Sequence, residues 1–127
     1  MHNLELVKNL YQAFAQGDVP SVLALLDENI VWTEAEGFPY GGTYNGHEAV
    51  VSNVFMKLAT EWDDYRVEPN DFLDADNRIV ALGNYSGAYK KTGKSMRAPF
   101  AHVWTIENGK ATKFVQYTDT LKVSEAL

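Results

Sequence analysis

Two dipeptides, Thr92-Gly93 and Asn108-Gly109, punctuate the second half of the chain. Each separates long runs rich in β-branched and aromatic residues: Arg78 to Tyr89, Ser95 to Glu107 and Lys110 to Asp119. Reversing a strand in two residues requires backbone with φ > 0, which Gly and Asn tolerate. The runs therefore predict an antiparallel meander whose register is set by its turns. If both turns are two-residue hairpins, Glu107 pairs with Lys110 and Lys91 with Lys94. Phe100 then lies between Tyr85 and Tyr117, His102 between Gly83 and Val115, and Ala98 between Gly87 and Asp119. Side chains alternate along a strand, so all nine share one face. That face holds aromatics, very small residues, one imidazole and one carboxylate. Its glycines permit the strong bending that cups a sheet. The opposite face, with Val80, Leu82, Ala101 and Val103, is moderately apolar and has no second layer to cover it. It is expected to form a homodimer interface.

The first half reads as helices. Leu4, Val7, Tyr11 and Phe14 recur at helical spacing, predicting a helix from Asn3 to Gln16 with Asn3 as its cap. A short second helix runs from about Pro20 to Leu26, with Pro suited to its first turn. Ile30 to Glu34 is a strand, and the glycine-rich stretch from Gly37 to Gly46 is a loop. A third helix covers His47 to about Thr60, and a weaker strand Tyr65 to Leu73. Helices followed by a meander make an α+β domain with helices on one face of the sheet.

Composition narrows the function. The chain has 127 residues, the size of one domain spanning 1–127, with 46% hydrophobic and 22% charged residues. Its net charge of −6 disfavours nucleic acid and anionic membrane surfaces. It has no cysteine, which excludes disulfides, thiolate metal sites and thiol catalysis. No apolar run approaches a membrane span, and the first residues lack the pattern of a signal peptide, so a cytoplasmic protein is expected. No metal-ligand spacing or phosphate-binding loop is present, and no cofactor is expected. Aromatics reach 13%, more than a small core needs, which points to an aromatic-lined cavity for a small apolar molecule.

Several motifs carry a family resemblance. They are Tyr11-Gln-Ala-Phe-Ala-Gln-Gly-Asp18, Val31-Trp32, Gly42-Thr-Tyr-Asn-Gly46, Phe100-Ala-His-Val-Trp104, Asn108-Gly-Lys110 and Phe114-Val-Gln-Tyr-Thr-Asp119. The chain resembles the SnoaL-like polyketide cyclases, within the nuclear-transport-factor-2-like superfamily that includes ketosteroid isomerases. The resemblance implies a cone: a strongly bent, antiparallel or mixed sheet with three N-terminal helices enclosing a pocket. It implies a pocket protein, as an enzyme doing cofactor-free acid–base work on an apolar carbonyl compound (isomerisation, aldol cyclisation or dehydration). The alternative is a non-catalytic binding or dimerisation domain of the same fold.

The candidate catalytic residues are His102, Asp119 and Tyr117. A strand imidazole can act as acid or base near neutral pH, a carboxylate in an aromatic cavity can take a proton beside a carbonyl, and a phenol can donate. Asp119 could equally cap a turn or a helix before Leu121-Lys-Val-Ser. The cyclases of the family carry a His and an essential Asp at the matching positions. Glu34 is the alternative base, matching the isomerase carboxylate by spacing from Gly17-Asp18. The isomerase tyrosine would fall near Leu10, one place from Tyr11, a rotation of about 100° around a helix. Expected pocket residues are Tyr11, Phe14, Trp32, Phe55, Tyr85, Phe100, Trp104 and Val115, with Tyr40, Tyr44 and Trp62 as further aromatics.

Overall fold

A computed structural model describes residues 1–127. Helix α1 (Asn3–Ala15) buries Val7 and Tyr11 of the expected stripe together with Leu6 and Leu10 beside them, while Leu4 and Phe14 are half-buried. Its cap is His2 rather than Asn3; the Asn3 amide instead donates to the Asp76 carbonyl at 2.9 Å, tying the helix start to a distant turn. Helix α2 (Val19–Leu25) begins at Asp18, whose carboxylate accepts from the Ser21 N–H at 3.2 Å and meets one orphan donor of the first turn.

Strand β1 (Leu26–Glu34) starts four residues earlier than the β-branched run indicates. The glycine-rich stretch is not all loop: β2 (Gly42–Asn45) pairs antiparallel with β1, Trp32 opposite Tyr44. The third helical segment is interrupted. It runs as α3 (His47–Val50), a π-helical turn (Val51–Phe55) and α4 (Met56–Glu61). The wide turn lies where Val54 and Phe55 meet the interior, and such turns often mark functional walls.

Strands β3 (Trp62–Ala75), β4 (Arg78–Tyr89), β5 (Ser95–Glu107) and β6 (Lys110–Thr118) follow, then a short helix α5 (Thr120–Ser124), capped by Asp119 as one of its two sequence readings has it. The six strands form one sheet in the order β2-β1-β6-β5-β4-β3. β1 and β6 run parallel, and the other neighbours are antiparallel, so the sheet is mixed. It curls around α1, and the sharpest approach is at Gly83. A Cβ there would sit 2.2 Å from the Glu68 carbonyl oxygen and 2.7 Å from the Phe100 ring. Only glycine lets β3 and β4 approach so closely beside the β3 bulge.

The meander is as expected, but its register is not. Between β4 and β5 the Tyr89 N–H reaches the Lys94 carbonyl, closing a four-residue loop, Lys90 to Gly93, instead of a two-residue turn. Tyr85 therefore opposes Ala98, Gly83 opposes Phe100, and Ala81 opposes His102. This shift of two residues leaves every face unchanged. Between β5 and β6, Glu107 pairs with Lys110 as expected, but a bulge follows. Ile106 opposes Ala111 while Thr105 opposes Lys113, leaving Thr112 as the extra residue. A shift of one inverts the strand beyond it. Phe114 and Gln116 turn inward; Val115 and Tyr117 turn outward.

Two clusters make the core. The larger joins α1 to Trp32, Ile79, Trp104 and Phe114. The smaller, around Phe38, Tyr85 and Phe100, is closed by Val123 and Ala126 from the C-terminal segment. No helix is long and apolar enough to cross a membrane.

Candidate active site

The sheet and helices enclose a cavity of about 730 Å³, mostly lined by apolar side chains. Its aromatic walls pack edge-to-face: Phe14 on Phe55 and Trp32 on Phe55, with ring centroids 5.2 and 5.3 Å apart. Trp32 also stacks on Phe114 at 3.9 Å.

β1 places the acidic group. Ile30, Trp32 and Glu34 share its inward parity, so Glu34 enters the interior at the strand's end with 4% of its surface exposed. Trp32 Nε1 donates to Glu34 Oε1 at 3.1 Å, and Glu34 Oε2 has no partner. Burial disfavours the ionised carboxylate and raises its pKa to about 7; the indole hydrogen bond opposes the shift but is weaker.

β4, β5, β6 and α1 together build a polar chain across the hollow. His102 is buried, with the Tyr11 hydroxyl 2.6 Å from its Nδ1 and the Tyr85 hydroxyl bonded to its Nε2. Trp104 Nε1 donates to the Tyr11 oxygen at 3.0 Å. Gln116 Nε2 donates to the Tyr85 oxygen at 2.9 Å, and Gln116 Oε1 accepts from the Ala35 N–H at 3.0 Å. Burial holds the His102 pKa well below the usual imidazole range, so the ring is neutral. Burial likewise raises the Tyr11 and Tyr85 phenols, and the nearby Glu34 carboxylate adds to the shift at Tyr85 and Tyr65. These phenols stay protonated and can donate. Tyr11, Tyr85, His102, Gln116 and Glu34 all line the one cavity.

Of the expected catalytic residues, His102 lies inside, but Tyr117 and Asp119 do not. The Thr112 bulge turns Tyr117 outward, where it is 58% exposed. Asp119 lies beyond the end of β6, and its carboxylate accepts from the Lys122 N–H at 3.2 Å as the cap of α5. The alternative base, Glu34, is the carboxylate that enters the cavity. Among expected pocket residues, Tyr11, Phe14, Trp32, Phe55, Tyr85 and Trp104 line it. Val115 does not, because the bulge places it on the outer face. Phe100 points inward but packs behind the cavity wall, stacked on the His102 ring at 3.9 Å. Trp62 lines the cavity; Tyr40 is buried beside it, its hydroxyl accepting from Trp62 Nε1 at 3.1 Å. Tyr44 sits behind, its hydroxyl donating to the Tyr40 carbonyl at 2.8 Å. No three His, Asp or Glu side chains converge as a metal site would need.

Gln116 was the residue missed. A signal existed: Ala111 and Phe114 are both apolar but an odd number of residues apart, flanked by Lys110 and Lys113. Strict alternation cannot bury both, so an inserted residue lies between them.

Comparison with known proteins agrees with this architecture. The model of the SnoaL-like domain family matches residues 7–114. An NTF2-like protein from Burkholderia thailandensis is 39% identical and superposes with a TM-score of 0.96, covering 99% of this chain and 97% of that one. An NTF2-like protein from Burkholderia pseudomallei is 33% identical with a TM-score of 0.89, over 98% and 95% of the two chains. TerC, co-crystallised with polyporic acid, is 26% identical with a TM-score of 0.88, over 98% and 96%. No curated protein matches at a significant level. With the family model spanning most of the chain and the cone fold reproduced in these relatives, the protein belongs to the SnoaL-like domain family.

Proposed function

We propose that the protein binds a flat, apolar carbonyl compound in the cone and moves a proton on it, with Glu34 as base and the phenols on His102 as donors. One observation carries this reading: Glu34 ends in a buried carboxylate oxygen without a partner, and its side chain lines a cavity that the Tyr11 and Tyr85 phenols also line. A buried acceptor without a partner is costly, and a ligand that meets it recovers that cost. With a pKa of about 7, Glu34 is poised both to take a proton from carbon and to return it near neutral pH. A phenol donating to the ligand carbonyl stabilises the enolate oxygen that forms as the carbon loses its proton. The proton passes from carbon to Glu34 and back to a second carbon, which is isomerisation; aldol closure follows if the enolate attacks a second carbonyl. Polyporic acid in TerC supports a ring-shaped ligand, as something that protein was crystallised with.

The test is deuterium uptake from D2O into a cyclic ketone, followed by proton NMR. Wild-type protein is expected to accelerate uptake, and Glu34→Gln to lose about 10²-fold or more, the scale of general-base catalysis. Uptake equal in both proteins overturns the assignment. The outer sheet face, with Val80, Leu82, Val103, Val115 and Tyr117 in adjoining rows, is the proposed contact with a second copy of the chain.

A further inference from the structure

The polar chain across the cavity has a proton count that does not close. Trp104 Nε1 can only donate, so the Tyr11 oxygen must accept from it. Gln116 is oriented by the Ala35 N–H, which needs its Oε1; its Nε2 therefore donates to the Tyr85 oxygen. Between the two phenols stands a neutral imidazole, with one N–H and one lone pair. It is buried, stacked on Phe100, and bonded to a hydroxyl at each nitrogen. Two arrangements satisfy it. In the first, Tyr11 donates to Nδ1 and the Nε2 proton goes to Tyr85, so the Tyr85 proton is spare. In the second, Tyr85 donates to Nε2 and the Nδ1 proton goes to Tyr11, so the Tyr11 proton is spare. Either way one phenolic proton has no partner within the chain. The tautomer of His102 decides at which end it appears.

We propose that His102 is the centre of a proton relay, and that the ligand offers it two separated oxygens, a carbonyl at one phenol and a hydroxyl at the other. The substrate class rests on the proton-transfer reading above; the relay stands on the geometry alone. From the first arrangement, the Tyr85 O–H breaks and its proton joins the ligand carbonyl oxygen. The Tyr85 oxygen takes the Nε2 proton, and Nδ1 takes the Tyr11 proton. The Tyr11 oxygen takes the proton of the ligand hydroxyl. Every O–H or N–H bond broken is matched by one formed; in a ligand whose two oxygens are joined through conjugated double bonds, the π electrons shift so that the hydroxyl becomes the carbonyl and the carbonyl the hydroxyl, and no charge is left on wall or ligand. The protein ends in the second arrangement, and the reverse sequence restores it. The phenols flank opposite nitrogens of one ring, so the ligand oxygens belong at opposite edges of a cyclic compound and not on neighbouring carbons.

The test is the nitrogen NMR of the His102 ring, read in the whole protein at neutral pH. Wild type is expected to show a neutral ring with both tautomers populated. In Tyr85→Phe the remaining phenol accepts from the ring and turns its own proton to the cavity, so the Nδ1–H form dominates. In Tyr11→Phe the Nε2–H form dominates by the same logic. The ligand class is tested with 4-hydroxycyclohexanone against cyclohexanone. The hydroxy-ketone is expected to bind at least fivefold more tightly to wild type, a preference lost in both variants. A single tautomer in wild type, an imidazolium in wild type, or one tautomer common to both variants overturns the relay. Equal binding of the two probes overturns the ligand class. The ring spectra need no turnover, so a failure of Glu34 as base is a separate result. Wild type answers for the relay on its own if a variant fails to fold.

Discussion

Glu34 and His102 place opposite demands on the same interior. Glu34 is easier to bury protonated; it ionises near 4.5 in the unfolded chain and near 7 in the folded one. Its favourable contribution is complete below pH 4.5 and is lost as the pH rises to about 7, on the order of 3 kcal/mol in all. His102 behaves the other way. Its folded pKa is depressed, so folding weakens as the pH falls below the usual imidazole value and the unfolded chain takes up a proton. Glu34→Gln should therefore gain stability relative to wild type between pH 4.5 and 8, measured by urea denaturation at both values. A constant difference between the two proteins would show that Glu34 titrates normally. The residue-level reading from sequence reached His102 and the aromatics, because imidazoles and rings on an inward strand parity are visible in the alternation. It ranked Glu34 behind Asp119, because burial at a strand end depends on what packs over it.

Elements explain where the two carboxylates lie. The meander, its three strands and the Asn108-Gly109 turn were legible, since turn chemistry and β-branched runs are local signals. The inversion at Thr112 was not, because a bulge is decided by what the two strands bury. It moved Gln116 and Phe114 into the hollow and left Asp119 as a helix cap. Asp119→Ala should then cost about 1 kcal/mol of stability, the value of a lost cap, with ligand binding unchanged. A loss of binding at undiminished stability would return Asp119 to the site. Gly83 tests the bend itself. Its absent Cβ would press on the Glu68 carbonyl, a backbone atom that cannot swing aside. Gly83→Ala is expected to destabilise by about 3 kcal/mol, seen as a lowered thermal midpoint, while Gly93→Ala, in open space but at φ +71°, should cost only the backbone strain, about 1 kcal/mol.

At the scale of the whole molecule, the inner and outer faces divide the work. The inner face spends its aromatics on a hollow, and the cone was foreseeable from small residues within strands. On the outer face the bulge exchanges Phe114 and Gln116 for Val115 and Tyr117, which stand beside Val103 and Ala101, so the face keeps its moderately apolar character. The wild-type chain is expected to sediment at twice its 14.2 kDa mass, and Val103→Glu, at the centre of that face, as a monomer. Monomeric wild type would leave the face to water. Asp18, Asp64 and Glu68 line the cavity against one Arg66, a balance that favours neutral over anionic ligands.

Thr112 gives this protein an unusual genetic lever. Losing its single codon would rotate everything downstream in β6 by half a turn of the pleat, carrying Tyr117 into the interior and expelling Phe114 and Gln116. The amide that orients Tyr85 would vanish in the same event that delivered a new phenol. In a lineage with this scaffold, a three-nucleotide deletion can thus exchange the β6 side of the cavity wall while Tyr11, Glu34, Tyr85 and His102 stay in place.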